Sequence, residues 1–156
     1  MKAMTRTAIA FIATYSAGFI GYLLIDTQPA SWYSQLAKPA LTPPDAAFSV
    51  VWLILYALMA VALAIVWNHR PFAPHVEGWV RFYFVQLLFN AAWTLFFFGL
   101  HAIFIAFIDI LFLAFIIISL VAGAFEIDRR AAYLLMPHLA WVLFAAYLNL
   151  GIWLIN

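Results

Sequence analysis

Apolar residues fall along this chain in long unbroken runs, not in the alternation of strands or the one-sided stripe of a soluble helix. Residues 7–25 and 46–69 carry no charge, and the run from Phe82 to Phe125 carries one, Asp109. About 20 helical residues cross a bilayer core roughly 30 Å thick, so the first two runs suit one span each. The third run is too long for one helix, since 44 residues at 1.5 Å each reach ~66 Å. Gly99-Leu100-His101 offers a tight reversal inside it and divides it into helices at about 80–98 and 102–125. A last run follows Glu126-Ile127-Asp128-Arg129-Arg130 and covers about 131–154, with Pro137 inside it. Together with helices at about 6–25 and 46–67, the pattern predicts an all-α integral membrane protein, five transmembrane helices in a single bundle. Residues 1–156 then form one domain, with a long connection over 26–45. A β-barrel would need period-two alternation, which these runs do not show. Lys2 and Arg6 precede the first run as they would in a signal peptide. The run is longer than a usual signal core and ends without a small-residue cleavage site, so it reads as a helix.

Composition and charge narrow the function classes. With 69% hydrophobic and 8% charged residues and a mean hydropathy of +1.08, the chain is far from the roughly 25% charge of a soluble domain. A net charge of +1 offers no footprint for nucleic acid, and the absence of cysteine excludes disulfides, thiolate metal sites and a thiol nucleophile. The bilayer is the expected partner. Lys2, Arg6, Arg70, Arg81, Arg129 and Arg130 fall on the N-terminal side of the five spans and only Lys38 on the other. In a bacterial plasma membrane that asymmetry places the N-terminus in the cytoplasm.

Three polar-aromatic stripes carry the candidate chemistry. Gln86, Asn90, Trp93 and Phe97 share one helical face; so do Trp52, Tyr56, Met59 and Leu63, and so do His138, Trp141, Ala145 and Asn149. Carboxamides and imidazole are costly against lipid, so these faces point inward. They are either glue between helices or the wall of a site for a flat lipophilic ligand, with aromatic sides and a few orienting polar groups. The connection from Asp26 to Asp45 holds four of the seven prolines and is therefore stiff; Trp32 and Tyr33 in it suit either an interfacial aromatic belt or a lid. Asp109, an acid within a span, is either open to headgroup water or hydrogen-bonded between helices. His69 and His75 lie in a loop and His101 and His138 on different spans, so no metal site is expected. No nucleophile elbow, phosphate loop or dinucleotide fingerprint occurs. For self-association, Ala13, Ala17 and Gly21 are spaced for a close helix crossing.

The order of motifs adds a resemblance. Trp32-Tyr33, Leu36, Lys38-Pro39, Thr42-Pro43-Pro44, Trp52 and Leu55-Tyr56 are followed by Gln86-Leu87-Leu88-Phe89-Asn90-Ala91-Ala92-Trp93, Phe97-Phe98-Gly99 and Asp109-Ile110-Leu111. The series ends in Pro137-His138-Leu139-Ala140-Trp141, Phe144-Ala145 and Leu148-Asn149. This series resembles the TspO/MBR family of translocator and tryptophan-rich sensory proteins, over about four-fifths of the chain. The resemblance implies five helices around a pocket closed by the first loop, usually in a homodimer. It implies a receptor or sensor for protoporphyrin-type tetrapyrroles, with sterols and benzodiazepine-like compounds as ligands of animal members. Matched by motif, the ligand-binding residues are Tyr33, Pro43, Trp52, Tyr56, Gln86, Asn90, Trp93, His138, Trp141, Ala145 and Leu148. No cofactor is required on this reading, since the porphyrin is the ligand. The alternatives are light- and oxygen-dependent porphyrin breakdown, with Trp52 and Trp141 as the catalytic positions, or transport of porphyrin or sterol-like lipids. Leu41 and Ala47 stand where the family often has Trp, and His138 where it usually has Tyr. The C-terminal sterol motif is incomplete, because residues 148–156 contain no Lys or Arg.

Overall fold

The computed structural model describes residues 2–25, 31–69 and 74–156. Arg70, counted above for sidedness, and positions 26–30 of the first connection lie outside them. Every regular element among the described residues is helical: α1 (Ala3–Tyr22), α2 (Trp32–Gln35), α3 (Asp45–His69), α4 (Pro74–Thr94), α5 (Ile103–Ile127) and α6 (Arg129–Ile155). A π-helical turn, Leu95–Gly99, extends α4.

Four of these helices are long and apolar enough to cross a membrane: α3, α4 with its π-turn, α5 and α6. The first helix is not in that set, which departs from the expected five. Arg6 and its Thr, Tyr, Ser and Gly residues dilute its hydropathy, and its inner face is correspondingly polar, with Arg6 and Thr14 buried. It packs against α3 and α4, joined to α4 by a 3.0 Å hydrogen bond between the Thr14 and Tyr83 hydroxyls. Ala13 and Ala17 lie against the core and Gly21 faces Thr94, so the small-residue stripe serves a crossing within the chain. Helix α4 begins at Pro74, ahead of the expected 80. A proline loses nothing in a first turn whose N–H groups are unbonded, and Glu77 there complements the helix dipole.

Contacts fix the two ends of the bundle. At one end Arg6 Nη1 donates to Asn68 Oδ1 (3.3 Å), Asn68 Nδ2 donates to Thr7 Oγ1 (3.2 Å), and His69 Nδ1 lies 4.0 Å from Asp128 Oδ2. The start of α1, the end of α3 and the α5–α6 corner therefore share that end. At the other, Asn156 Nδ2 donates to the Ala37 carbonyl and Ala37 N–H to Asn156 Oδ1, both at 3.0 Å, and Tyr147 Oη donates to the Ala40 carbonyl at 3.1 Å. The first connection is thus tied to the last turns of α6, and Pro39 packs so closely on Gly151 that a Cβ there would lie 2.8 Å from its ring.

Asp128 turns the chain from α5 into α6. Its side chain accepts the Arg130 backbone N–H at 2.9 Å and holds the guanidinium at 3.1 and 2.8 Å. Those side-chain hydrogen bonds, partly opposed by burial, keep its carboxyl below its ordinary value of 3.8. A folded-state pKa below the unfolded one adds stability that is complete above 3.8 and is lost as pH falls through the folded value. Asp128→Asn keeps the cap and removes the charge, so at neutral pH it should unfold slightly more easily, by about 0.2–1 kcal/mol. In thermal melts the gap to wild type should close below pH 3.8; a gap that persists unchanged to pH 3 rules the account out.

Candidate ligand site

Helices α3 and α6 face each other through an aromatic ladder. Phe48 meets Trp141 edge-on at 5.6 Å between centroids, and one turn along α3 Trp52 meets the His138 ring at 6.0 Å. Trp52 also stacks on Tyr56, 5.4 Å away and 28° from parallel. The 3.6-residue period that aligns positions 48, 52 and 56 builds one wall, and the same period aligns 138, 141 and 145 on the other.

Helix α4 adds the polar groups. Tyr56 Oη donates to Asn90 Oδ1 at 2.9 Å, and Asn90 Nδ2 lies 3.4 Å from His138 Nε2. An amide nitrogen only donates, so Nε2 accepts and the imidazole proton sits on Nδ1. One helix from each side is thereby joined in a relay, Tyr56 to Asn90 to His138. Around it several buried polar atoms lack a partner: both amide atoms of Gln86, His138 Nδ1 and Trp141 Nε1. Gln86 precedes Asn90 by one turn and Trp141 follows His138 by one turn. A buried group left unpaired costs about 1–3 kcal/mol, and three of these four atoms are N–H donors. The set is therefore suited to a molecule that presents acceptor atoms at one edge and flat apolar surface elsewhere.

Not every matched residue joins that cluster. Trp93 Nε1 donates to Asn149 Oδ1 (3.0 Å), whose amide donates in turn to the Ile103 carbonyl (2.9 Å). Trp93 is thus locked beside Phe97, on which it stacks at 5.5 Å. Tyr33 lies in the second aromatic group, against Phe97 and Phe98, with the Lys38 ammonium 4.6 Å from its ring centre. Burial, then the nearby Asp45 carboxylate, raises its hydroxyl above the ordinary tyrosine pKa. Ala145 and Leu148 are buried, and Pro43 is half-buried before α3. Asp109 is buried rather than open to headgroup water, and its Oδ2 has no partner.

The turn after α4 falls where expected, between Gly99 at the end of the π-turn and Ile103 at the start of α5. Its left-handed residue is His101 (φ 52°). His101 sits on Trp32 with ring centres 4.1 Å apart and planes 12° from parallel. The π-turn adds a residue to the ladder just before this point, and Phe97 and Phe98 meet Trp32 and Tyr33 there. Sequence reasoning missed two participants. Phe48 was legible as the residue one turn before Trp52; nothing in the pattern marked Gly18, whose bare Cα lies against the Tyr56 ring.

A bundle that is all-helical among the described residues, with four helices long and apolar enough to cross a membrane, defines an integral membrane protein. Comparison with known proteins gives the family: the model of the TspO/MBR family matches residues 8–154, and the chain belongs to it. It is 36% identical over 157 residues to the tryptophan-rich protein TspO of Chlorobaculum tepidum, covering 99% of this chain and 98% of that one. The protein CrtK of Rhodobacter capsulatus is 29% identical, with 98% and 94% covered. The human translocator protein is 30% identical over 148 residues, 94% of this chain and 88% of its own.

Proposed function

We propose that this protein is a membrane receptor or sensor that binds a protoporphyrin-type tetrapyrrole between α3, α4 and α6, beneath the first connection. The observation that carries this reading is the set of buried, unpartnered polar atoms of Gln86, His138 and Trp141 around the Tyr56–Asn90–His138 relay. A macrocycle supplies flat area for Trp52 and Trp141, and its carboxylate edge supplies acceptors for the orphaned N–H groups. On this reading α1 is the fifth span, the N-terminus faces the cytoplasm and the protein works as a homodimer. Entry parts the Phe48–Trp141 and Trp52–His138 contacts and releases the first connection from α6. The test is a titration of the purified protein in the dark with protoporphyrin IX, following tryptophan fluorescence and the porphyrin absorption band. Saturable quenching near one porphyrin per chain is expected. Quenching that never saturates, or that equals the effect of detergent with an unrelated membrane protein, refutes the reading.

A second reading rests on the place of two indoles. Trp52 touches His138 and Trp141 lies one turn further along α6, so both would border a bound macrocycle, where an excited porphyrin and oxygen attack electron-rich rings. Light-driven porphyrin breakdown then requires both. Illumination in air should yield a new visible product with wild type and none with Trp52→Phe/Trp141→Phe. Bleaching at the same rate without protein removes this reading.

A further inference from the structure

A second concave surface lies at the opposite end of the bundle from the first connection. It is an open groove of about 450 Å³ along the outer side of α3, lined by Thr7 and Phe11 of α1, Val61, Ala64, Ile65, Asn68 and His69 of α3, and the corner residues Asp128 and Arg130. That volume falls in the range of small-molecule sites, about 300–1,000 Å³.

The groove is sharply divided along its length. From Val61 to Asn68 the helix rises ~10 Å, and the lining passes from Phe11, Val61, Ala64 and Ile65 to Thr7, Asn68, His69 and Arg130. The headgroup layer on each side of a bilayer is only ~5–8 Å deep. A groove at the end of membrane-length helices with this gradient therefore begins among headgroups and continues among acyl chains. Phe11 and Val61 remain 36% and 37% exposed on its walls, while Ala64 leaves the floor low at 9%.

The polar end favours an anion. Among the described residues this end of the bundle carries Lys2, Arg6, Arg81, Arg129 and Arg130 against Glu77, Glu126 and Asp128. The one carboxylate in the groove, Asp128, is engaged by the Arg130 side chain and backbone and lies 4.0 Å from His69 Nδ1. Arg130 uses Nε and Nη2 for that pairing. Its Nη1 takes no part in that pairing, on a side chain 79% exposed. Asn68 holds Arg6 behind it, which adds positive charge beneath the same end. Basic pockets between helices at a membrane surface recognise anionic headgroups in this way.

We infer that the α1–α3 groove is a binding site for an anionic phospholipid, one acyl chain lying over Ala64 between Phe11 and Val61 and the phosphate meeting the free edge of Arg130. The site is separate from the proposed tetrapyrrole pocket, and its test uses none of that pocket's residues. Delipidated protein is titrated with dioleoylphosphatidylglycerol and bound lipid is counted by native mass spectrometry. Dioleoylglycerol and inorganic phosphate are run in parallel. Two variants separate the ends of the groove: Arg130→Gln, which keeps the backbone cap of α6, and Val61→Trp, which fills the groove from an exposed wall and so leaves the fold unburdened. Wild type should retain one tightly bound phosphatidylglycerol. Arg130→Gln should weaken it about tenfold without changing the weaker binding of dioleoylglycerol, and Val61→Trp should weaken both. Equal retention by all three proteins overturns the inference. So does phosphate competing as well as the lipid, which would mark a free-anion site, or a Val61→Trp change confined to the monomer–dimer balance, which would give the groove to a second copy.

Discussion

Replacing Trp141 by alanine should weaken protoporphyrin IX binding roughly 10- to 100-fold while leaving the bundle folded. The indole contacts Phe48 and Phe144, at 5.6 Å each, and its Nε1 is buried with no partner. Removing it therefore breaks no hydrogen bond of the folded protein. The losses to the fold are the area the indole buries and two aromatic contacts worth about 0.5–1.5 kcal/mol each beyond it, partly offset by relief of an unpaired donor. A ligand loses both the stacking face and the donor, and 10- to 100-fold corresponds to about 1.4–2.8 kcal/mol. Trp141→Phe divides these terms: it keeps a six-membered ring against Phe48 while removing the N–H and part of the indole's area, so its affinity should fall between the two. Affinity unchanged in a folded Trp141→Ala protein, judged by its helical circular dichroism, takes Trp141 out of the site.

How much of this was legible in the sequence depends on the kind of interaction. Long charge-free runs reveal helices because lipid and a hydrocarbon core demand the same residues, and α3, α5 and α6 begin and end within a few residues of the expected positions. Misjudged positions are those where a local rule competes with hydropathy. Glu77 and His75 look like loop residues yet occupy the first turn of α4, where a charge and a proline are stabilised by the helix end. The reversal at Gly99-Leu100-His101 lies where the sequence put it, but the π-turn before it and the left-handed His101 stacked on Trp32 left no mark in the hydropathy pattern. Periodicity placed Tyr56, Asn90 and His138 on inward faces. It could not show that they touch, since the pairing of α3 with α4 and α6 is set by side-chain packing across helices distant in sequence. The reverse case is the Ala13-Ala17-Gly21 stripe, whose spacing says that something approaches closely but not whether it is a neighbouring helix or another chain.

Gly18→Ala should damage both stability and ligand binding, although α1 contributes no residue to the site. A Cβ at position 18 would lie 2.3, 2.7 and 2.8 Å from three atoms of the Tyr56 ring, where carbon contacts settle at about 3.5–4.0 Å. Either α1 moves off α3 or the ring swings. Tyr56 is held on its far side by the 2.9 Å hydrogen bond to Asn90 and by stacking on Trp52, so a swing breaks the relay that orients His138. Overpacking of this kind costs about 1–3 kcal/mol, several degrees in apparent melting temperature for a chain of this size. Gly78→Ala is the natural control, because a Cβ there meets nothing within 4 Å, and alanine in a helix is favoured over glycine by about 0.8–1 kcal/mol; it should melt no lower than wild type. The double variant Gly18→Ala/Tyr56→Leu separates the two effects, since a shorter side chain makes room for the methyl group but cannot bond Asn90. Its melting temperature should recover towards wild type while protoporphyrin IX binding stays weak. If Gly18→Ala alone melts and binds as wild type does, the close approach of α1 is not what positions Tyr56, and the ring must be held from the Asn90 side alone.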